Sequence, residues 1–495
     1  MITPKHRDIV DPDAAETITQ GMLPMLGRLP EVIDLFSGAG GFSLGFQAAG
    51  CNIRAAVDLD PVAGQTFRQN FTTLQPRHPP QVFAGPEHDL EHLGIEEIAG
   101  KRPPEIVIGG PPCQAFSRLG RGKLDSLNEA GFVGDPRNQL FRKFLEAIEC
   151  WHPQAVVMEN VPGMLSVGGV NYAEEVVWEL AELGYRVGYA VLNSVWYGVP
   201  QYRERLFFIG VRKDLKKAPL APSITHGPHV IEGYRQPYRE KMPTLNFGGI
   251  WELNEGQLAV SIVSRPQPVV TVSQALGDLA VLTDHLAGVP FPRGDFRQPH
   301  GYRGEPHSAY ANLMRGWPGL SASAPPADHV ARRTPRDYET FRRMKHGDRY
   351  PEAVKIARQR FDEEVGRLRL RGLAPLPGSE SWNDLEARFV PPYDKDEFLD
   401  KWRKLFPDLP SWTIPAHLAK DSYSHIHPDS DQARMISVRE AARLQSFPDA
   451  FPFHGNMGDC FRQIGNAVPP LLAWAIAAAL LESLGYPARH ALVAV

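Results

Sequence analysis

A chain of 495 residues with 43% hydrophobic and 22% charged residues has room for two or three ordinary globular domains. Its net charge of −4 excludes a globally basic nucleic-acid binder, so any positive surface must be local. Four cysteines, at positions 51, 113, 150 and 460, show no CxxC spacing, which argues against a zinc site or a disulfide framework and fits a reducing cytoplasm.

Residues 1 to 30 read as a loosely patterned extension, without the basic stretch and apolar run of a signal peptide. From Glu31 the pattern sharpens. Val32 to Phe36 reads as a buried strand, Ser37 to Gly41 as a glycine turn, and Phe42 to Ala49 as the helix it opens, capped by Gly50. Ile53 to Val57 is the next strand and ends at Asp58. Such glycines let a ligand approach backbone N–H groups at a helix N-terminus, and the acid about twenty residues on is placed for a ribose hydroxyl pair. The spacing Asp34-x-Phe36-x-Gly38-x-Gly40 differs from the dinucleotide pattern. An acid at that strand end would repel a pyrophosphate but suit a cationic amino-acid group, which points to S-adenosylmethionine rather than NAD.

Asp89-Leu90 reads as the end of a third strand, and Glu105 to Gly109 as a fourth that runs into Gly110-Pro111-Pro112-Cys113. The two prolines fix φ near −65° and remove two donors, so Cys113 is held out from the sheet edge. The alternative for Cys113 is a small buried hydrophobe. Asn138 to Cys150 fits an amphipathic helix with Leu140, Phe144, Leu145 and Ile148 on one side. Ala155 to Met158 is an apolar strand of the parallel-sheet kind, ending in Glu159-Asn160-Val161-Pro162. Glu159 is either a solvated helix cap or, with Cys113 ending a nearby strand, half of a paired site. Tyr172 to Leu183 repeats the helical pattern, and Arg186 to Asn193 and Arg205 to Val211 read as the last strands, antiparallel at one edge. Arg203 and Arg205 are two residues apart, so on a strand both would face one cleft; a charged, solvated edge strand is the alternative.

After Asp214 the texture turns proline-rich for about two hundred residues, which reads as a separate domain with helices at 271–282, 335–344 and 352–370. Between Ala331 and Arg371 there are thirteen Lys or Arg against seven Asp or Glu. Tyr302, Tyr310, Trp317, Tyr338 and Tyr350 lie among or near these basic residues, which suits a nucleic-acid surface, or else the small core of a charged helix. Ser437 and Glu440 form a capping box for a helix that Phe447-Pro448-Asp449 terminates. Gln463 to Pro470 reads as a tight turn before an Ala- and Leu-rich helix ending near Leu484. That helix is apolar nearly all round and should be buried against the sheet; its most apolar window, Leu471 to Leu481, is too short to span a bilayer.

Six stretches, Asp34 to Gly45, Gly109 to Gly120, Met158 to Met164, Gln201 to Arg212, Ser437 to Phe451 and Gln463 to Pro470, resemble in order the motifs of bacterial-type DNA (cytosine-5) methyltransferases. The long region before the last two is similar to that family's target recognition domain, enlarged. The resemblance implies an α/β, Rossmann-like S-adenosylmethionine-dependent methyltransferase fold with a second, smaller target recognition domain of irregular or mixed structure. It implies an extension at 1–30, catalytic and cofactor-binding parts at 31–213 and 431–495, and the recognition domain at 214–430. It implies Cys113 as the nucleophile that attacks carbon 6 of a cytosine flipped out of duplex DNA. Glu159 would bind the exocyclic amine and ring nitrogen 3, and Arg205 and Arg203 the base carbonyl and nearby phosphate. For S-adenosylmethionine the resemblance carries over Phe36, Gly38 and Gly40 for the methionine and adenosine portions, beside the acid Asp34. It also carries over Asp58 for the ribose, Asp89 and Leu90 for the adenine, Pro111 and Leu140 as cavity lining, and Asn466 and Val468 near the methionine end. No metal is implied. The implied partners are double-stranded DNA and a separately encoded restriction endonuclease, with no membrane and a cytoplasmic monomer on DNA. An RNA cytosine-5 methyltransferase of the same fold and a catalytically inert DNA-binding relative are the alternatives.

Overall fold

A computed structural model describes residues 28–90, 93–100, 102–112, 139–165, 171–227, 256–289, 296–322, 324–393, 401–420 and 422–489. Cys113 lies outside the described residues, as do positions 1–27 of the expected extension.

The first half alternates strand and helix: β1 (Glu31–Leu35), α1 (Gly41–Ala49), β2 (Asn52–Asp58), α2 (Pro61–Leu74) and β3 (Gln81–Ala84). It continues through β4 (Ile106–Gly109), α3 (Gln139–Trp151), β5 (Ala155–Asn160), α4 (Tyr172–Glu182), β6 (Tyr185–Asn193) and β7 (Glu204–Arg212). These seven strands form one sheet in the order β3-β2-β1-β4-β5-β7-β6. The run from β3 to β5 is parallel, and β7 is antiparallel to both its neighbours. The chain winds outward from β1 to β3 and then returns to β4 on the other side of β1. The crevice at the carboxyl ends of β1 and β4 is therefore the point where the winding reverses, which is where open α/β sheets bind ligands.

The strands are apolar on both faces because both faces are covered. Val32 of β1 packs in the layer that holds α1, and Ile33 in the layer that holds α3 and α4. In β7, Phe207 and Ile209 join the first layer, and Leu206 and Phe208 the second. Gly40, at φ 97°, sets the start of α1 in a conformation that a residue with a Cβ adopts only under strain. Asp60 caps α2 by accepting from the Val62 N–H at 2.9 Å, with Pro61 at the first helical position. The third strand ends earlier than expected: Gly85, at φ 120°, and the turn Pro86–His88 follow β3, so Asp89 and Leu90 lie in a loop beyond it.

Between β7 and the C-terminal helices the described chain is irregular, with short helices at Val272–Leu276, Ala309–Arg315 and Tyr338–Arg343, then the long α5 (Tyr350–Leu370). The helices expected at 271–282 and 335–344 are thus shorter than their sequence pattern. The expected aromatic nucleic-acid surface is largely core instead: Tyr310, Trp317 and Tyr350 are at most 2% exposed. Tyr302 lies under the Arg315 guanidinium at 3.6 Å. Several nearby arginines are committed to acids, including Arg336 to Asp337, Arg343 to Glu339 and Glu363, and Arg358 to Glu386. Sequence spacing alone does not separate a ring that stacks on bases from one that fills a small core.

At the C-terminal end, α6 (Val438–Leu444) starts in the expected Ser437/Glu440 capping box. The turn expected from Gln463 is shorter than its motif, because Gln463 to Asn466 are the last turn of a helix, α7 (Met457–Asn466). Only Ala467 to Pro469 break the chain before α8 (Pro470–Leu484). Helix α8 packs chiefly on α1 rather than directly on the sheet. A Cβ on Gly45 would lie 2.4 Å from the Ala473 Cβ, so glycine there lets the two backbones touch. Residues 457–484 are apolar enough to cross a membrane by composition, yet 83% of their most apolar window is buried within the protein.

Candidate active site

A cavity of about 430 Å³ opens at the carboxyl ends of β1, β2, β4 and β5, a volume within the usual range for small-molecule sites. It is lined by Asp34, Phe36, Gly38, Asp58, Asp89, Leu90, Pro111, Leu140, Glu159, Arg203 and Arg205, and from α7 and the turn after it by Asn466 and Val468. Residues from both ends of the chain therefore meet in one space. Gly40 is the exception among the expected lining residues. A Cβ on it would lie 2.6 Å from the Phe71 ring, so its smallness serves the packing of α2 rather than the cavity.

At the β1 end, Asp34 is 1% exposed. Its Oδ2 accepts from the Ser43 hydroxyl at 2.6 Å, while Oδ1 is buried without a partner. Burial, with a smaller push from the Asp58 carboxylate, raises the Asp34 pKa to about 8 against the pull of Ser43. Gly38, at φ 53°, has no atom within 4 Å of where a Cβ would stand, which leaves the turn open to an approaching ligand. Its N–H donates to Asp58 Oδ2 at 2.7 Å, and the Asp60 N–H donates to Asp58 Oδ1 at 2.8 Å. Asp58 thus ties the end of β2 to the glycine turn, and burial still raises its pKa despite these bonds. The orphaned buried oxygen of Asp34 fits a cation-bearing ligand such as S-adenosylmethionine.

At the β5 end, Met158 pairs with Gly109, which brings Glu159 alongside Gly110. A Cβ on Gly110 would lie 3.1 Å from Glu159 Oε2. Asn160 donates from Nδ2 to the Pro111 carbonyl at 3.3 Å and so anchors the stem of the loop that leads to Cys113. Arg205 Nε sits 2.9 Å from Glu159 Oε1. Burial raises the Glu159 pKa and outweighs the lowering by Arg205 and then Arg203.

Arg203 differs from the expectation of two side-by-side arginines on a strand. It falls in the break between Gln201–Tyr202 and β7, and it is 2% exposed. Its Nη1 donates to the Ile414 carbonyl at 3.0 Å and its Nη2 to the Gly465 carbonyl at 2.9 Å. The guanidinium therefore clamps two distant segments onto the sheet. Residues that the sequence reading missed include Ser43, Asn160, Asp60, Arg462 and Gln463. Arg462 Nη2 reaches Asp60 Oδ2 at 2.9 Å, and Gln463 Oε1 accepts from the Thr66 hydroxyl at 2.6 Å, so α7 is joined to α2 across the cavity. The Asp60-Pro61 start of α2 is a legible signal; Gln463 is hidden by its place in the expected turn, and Arg462 by preceding that turn in a stretch without an assigned element.

Three curated relatives are similar along most of their lengths. A protein of Oceanobacillus iheyensis assigned as type II methyltransferase M.OihORF3336P is 39% identical over 92% of this chain and 96% of its own. Type II methyltransferase M.AgeI of Thalassovita gelatinovora is 33% identical over 90% and 98%. Type II methyltransferase M.XorII of Xanthomonas oryzae pv. oryzae is 31% identical over 92% and 85%. In fold, the chain is similar to the crystal structure of a protein described as a prophage-encoded DNA modification methyltransferase of E. coli, with a TM-score of 0.57 at 22% identity over 92% of this chain and 100% of that one. The sequence model of C-5 cytosine-specific DNA methylases matches residues 31–255 and 347–482, and with the relatives above it shows that the chain belongs to that family of DNA (cytosine-5) methyltransferases.

Proposed function

We propose that this protein methylates carbon 5 of cytosine at one sequence in double-stranded DNA, as the modification partner of a separately encoded restriction endonuclease. The names of its relatives as type II methyltransferases support that setting. The observation that carries the chemistry is the Glu159–Arg205 contact at 2.9 Å, in the cavity that also holds Pro111, Pro112 and Asp34, whose Oδ1 has no partner.

A cytosine stacked in a duplex is out of reach, so the base is flipped into the cavity at a cost of a few kcal/mol. The Cys113 thiolate adds to carbon 6 of the ring, which makes carbon 5 nucleophilic. Glu159, protonated more readily than an ordinary carboxyl, supplies a proton at ring nitrogen 3 as negative charge develops, and Arg205 holds the base carbonyl. S-adenosylmethionine supplies the electrophilic methyl when bound. Asp34 orients that donor through its positive charge, Phe36 and Gly38 flank it, and Asn466 and Val468 close its methionine end. After transfer, solvent takes the proton on carbon 5, the Cys113 thiolate leaves carbon 6, and the proton at ring nitrogen 3 returns to Glu159, which restores the aromatic ring. Arg203 serves by holding Ile414 and Gly465 in place around this site. Residues 31–213 and 431–495 form the catalytic part, 214–430 read the target, and the protein works as a cytoplasmic monomer on DNA.

The test is DNA carrying 5-fluorocytosine at the target, found by mapping 5-methylcytosine after expression in a methylation-free bacterium. With S-adenosylmethionine present, wild type should become covalently attached to this DNA and Cys113→Ala should not. A Cys113→Ala variant that still methylates would sink the assignment.

A further inference from the structure

We propose that Arg462 receives the carboxylate of the donor's methionine moiety and selects for donors that carry one. This rests on the reading of the cavity as a site for S-adenosylmethionine.

The cavity wall is rich in acids, with Asp34, Asp58, Asp60, Asp89 and Glu159 all lining it. Such a wall attracts the cationic groups of the donor but repels its carboxylate, which therefore needs a cation beside it. The guanidiniums among the described lining residues are Arg203, Arg205 and Arg462. Arg203 has both terminal nitrogens bonded to carbonyls. Arg205 is bonded to Glu159 and to the Glu204 carbonyl. Arg462 is different. Only its Nη2 is engaged, with Asp60 at 2.9 Å and Asp459 at 3.0 Å, and its Nε and Nη1 have no partner among the described residues. Its side chain is 42% exposed, which places it at the cavity's rim, where an ion pair with Asp60 is weak and exchangeable. Arg462 stands one helical turn before Asn466 on α7, so the two share the helix face that lines the cavity. A guanidinium meets a carboxylate with two parallel N–H donors, a fit that neither lysine nor a backbone amide reproduces. Asp60 and Asp459 hold the guanidinium in place.

The experiment measures equilibrium binding by calorimetry to the full-length protein, with S-adenosylmethionine and with its decarboxylated analogue. Wild type should prefer S-adenosylmethionine. Arg462→Ala should lose roughly tenfold to a hundredfold in affinity for it, in keeping with a charged hydrogen bond, and lose nothing for the analogue, which erases the preference. Arg462→Lys should recover only part of the loss. Equal losses for both ligands in Arg462→Ala, or no loss for either, would overturn the proposal while leaving the cofactor reading intact. Wild type that binds neither ligand would overturn the cofactor reading and this proposal with it.

Discussion

Arg205 Nε lies 2.9 Å from Glu159 Oε1, and the contact spans the antiparallel pairing of β7 with β5. One bond therefore sets both the position of the acid and its charge. Burial raises the Glu159 pKa, and Arg205 is the largest force opposing that rise. The proposed role uses the protonated form, so kcat should fall as pH climbs through the raised pKa. Arg205→Ala removes the opposing cation, so this alkaline limb should move to higher pH even as the rate drops. Glu159→Gln should lower kcat by roughly 10²- to 10⁴-fold and abolish the limb. Single-turnover methyl transfer across pH checks both, and an unmoved limb in Arg205→Ala would disprove the coupling.

Asp34 makes a prediction about protons. With its pKa at about 8 in the ligand-free protein, it is mostly protonated at neutral pH. A cationic group at the unpaired Oδ1 favours the ionised form, so binding S-adenosylmethionine at neutral pH should release close to one proton. Calorimetry in buffers of different ionisation enthalpy reads this directly, and Asp34→Asn should remove it. The same group sets a sign for stability. Its folded pKa lies above the unfolded value of about 3.9, so the folded state binds the extra proton between them. Ligand-free stability should therefore decline with rising pH through that window, and Asp34→Asn should flatten the decline.

Much of this site was legible because its signals are local. Val32 to Gly41 reads as strand and glycine turn, and Glu159 follows an apolar run that reads as a buried strand. What the sequence concealed depends on distant partners. Arg203 sits two residues from Arg205 but answers to Ile414 and Gly465, and no spacing rule reaches that far. Helix α7 did carry a signal, the capping box of Asn456 and Asp459, but no element was assigned to its first six residues, and the Pro469-Pro470 pair made its last four, Gln463 to Asn466, read as part of a turn. Tyr310 and Trp317 looked like a surface because basic residues lie near them along the chain, whereas burial follows contacts in space.

The join between the two ends of the chain predicts a steric test. A Cβ on Gly41 would fall 2.4 Å from the Val468 carbonyl, and one on Gly45 equally close to Ala473. Both glycines let α1 meet the turn and helix that complete the cavity. Gly45→Val should force α8 away and cost about 1–3 kcal/mol, the usual scale of overpacking. Urea unfolding checks the stability, and weaker S-adenosylmethionine binding by the folded variant checks that the cavity has opened. Wild-type values in both would show that this contact yields without consequence.

Arg443 predicts a different pH dependence. It is fully buried on α6, where its Nε and Nη2 bond Asp449 at 2.8 and 2.6 Å and its Nη1 bonds Asp278. Arg315 also reaches Asp278 at 2.6 Å, and Tyr302 donates to Asp449 at 2.7 Å. Removing one partner of such a network leaves a charge buried without its counterion, so Asp278→Ala should destabilise the fold by about 3–5 kcal/mol at neutral pH. Burial pushes the Asp278 pKa up, but Arg443 and then Arg315 win, and it lies below the ordinary carboxylate value. The stability it contributes is therefore complete above the unfolded pKa of about 3.9 and disappears as pH falls through the lower folded value. The gap between wild type and Asp278→Ala should accordingly be widest at neutral pH and close under acid. None of these network residues lines the cavity, so S-adenosylmethionine should bind the folded fraction of the variant with unchanged affinity. A gap that stays constant down to pH 3 would mean that the loss comes from packing around the side chain rather than from its charge.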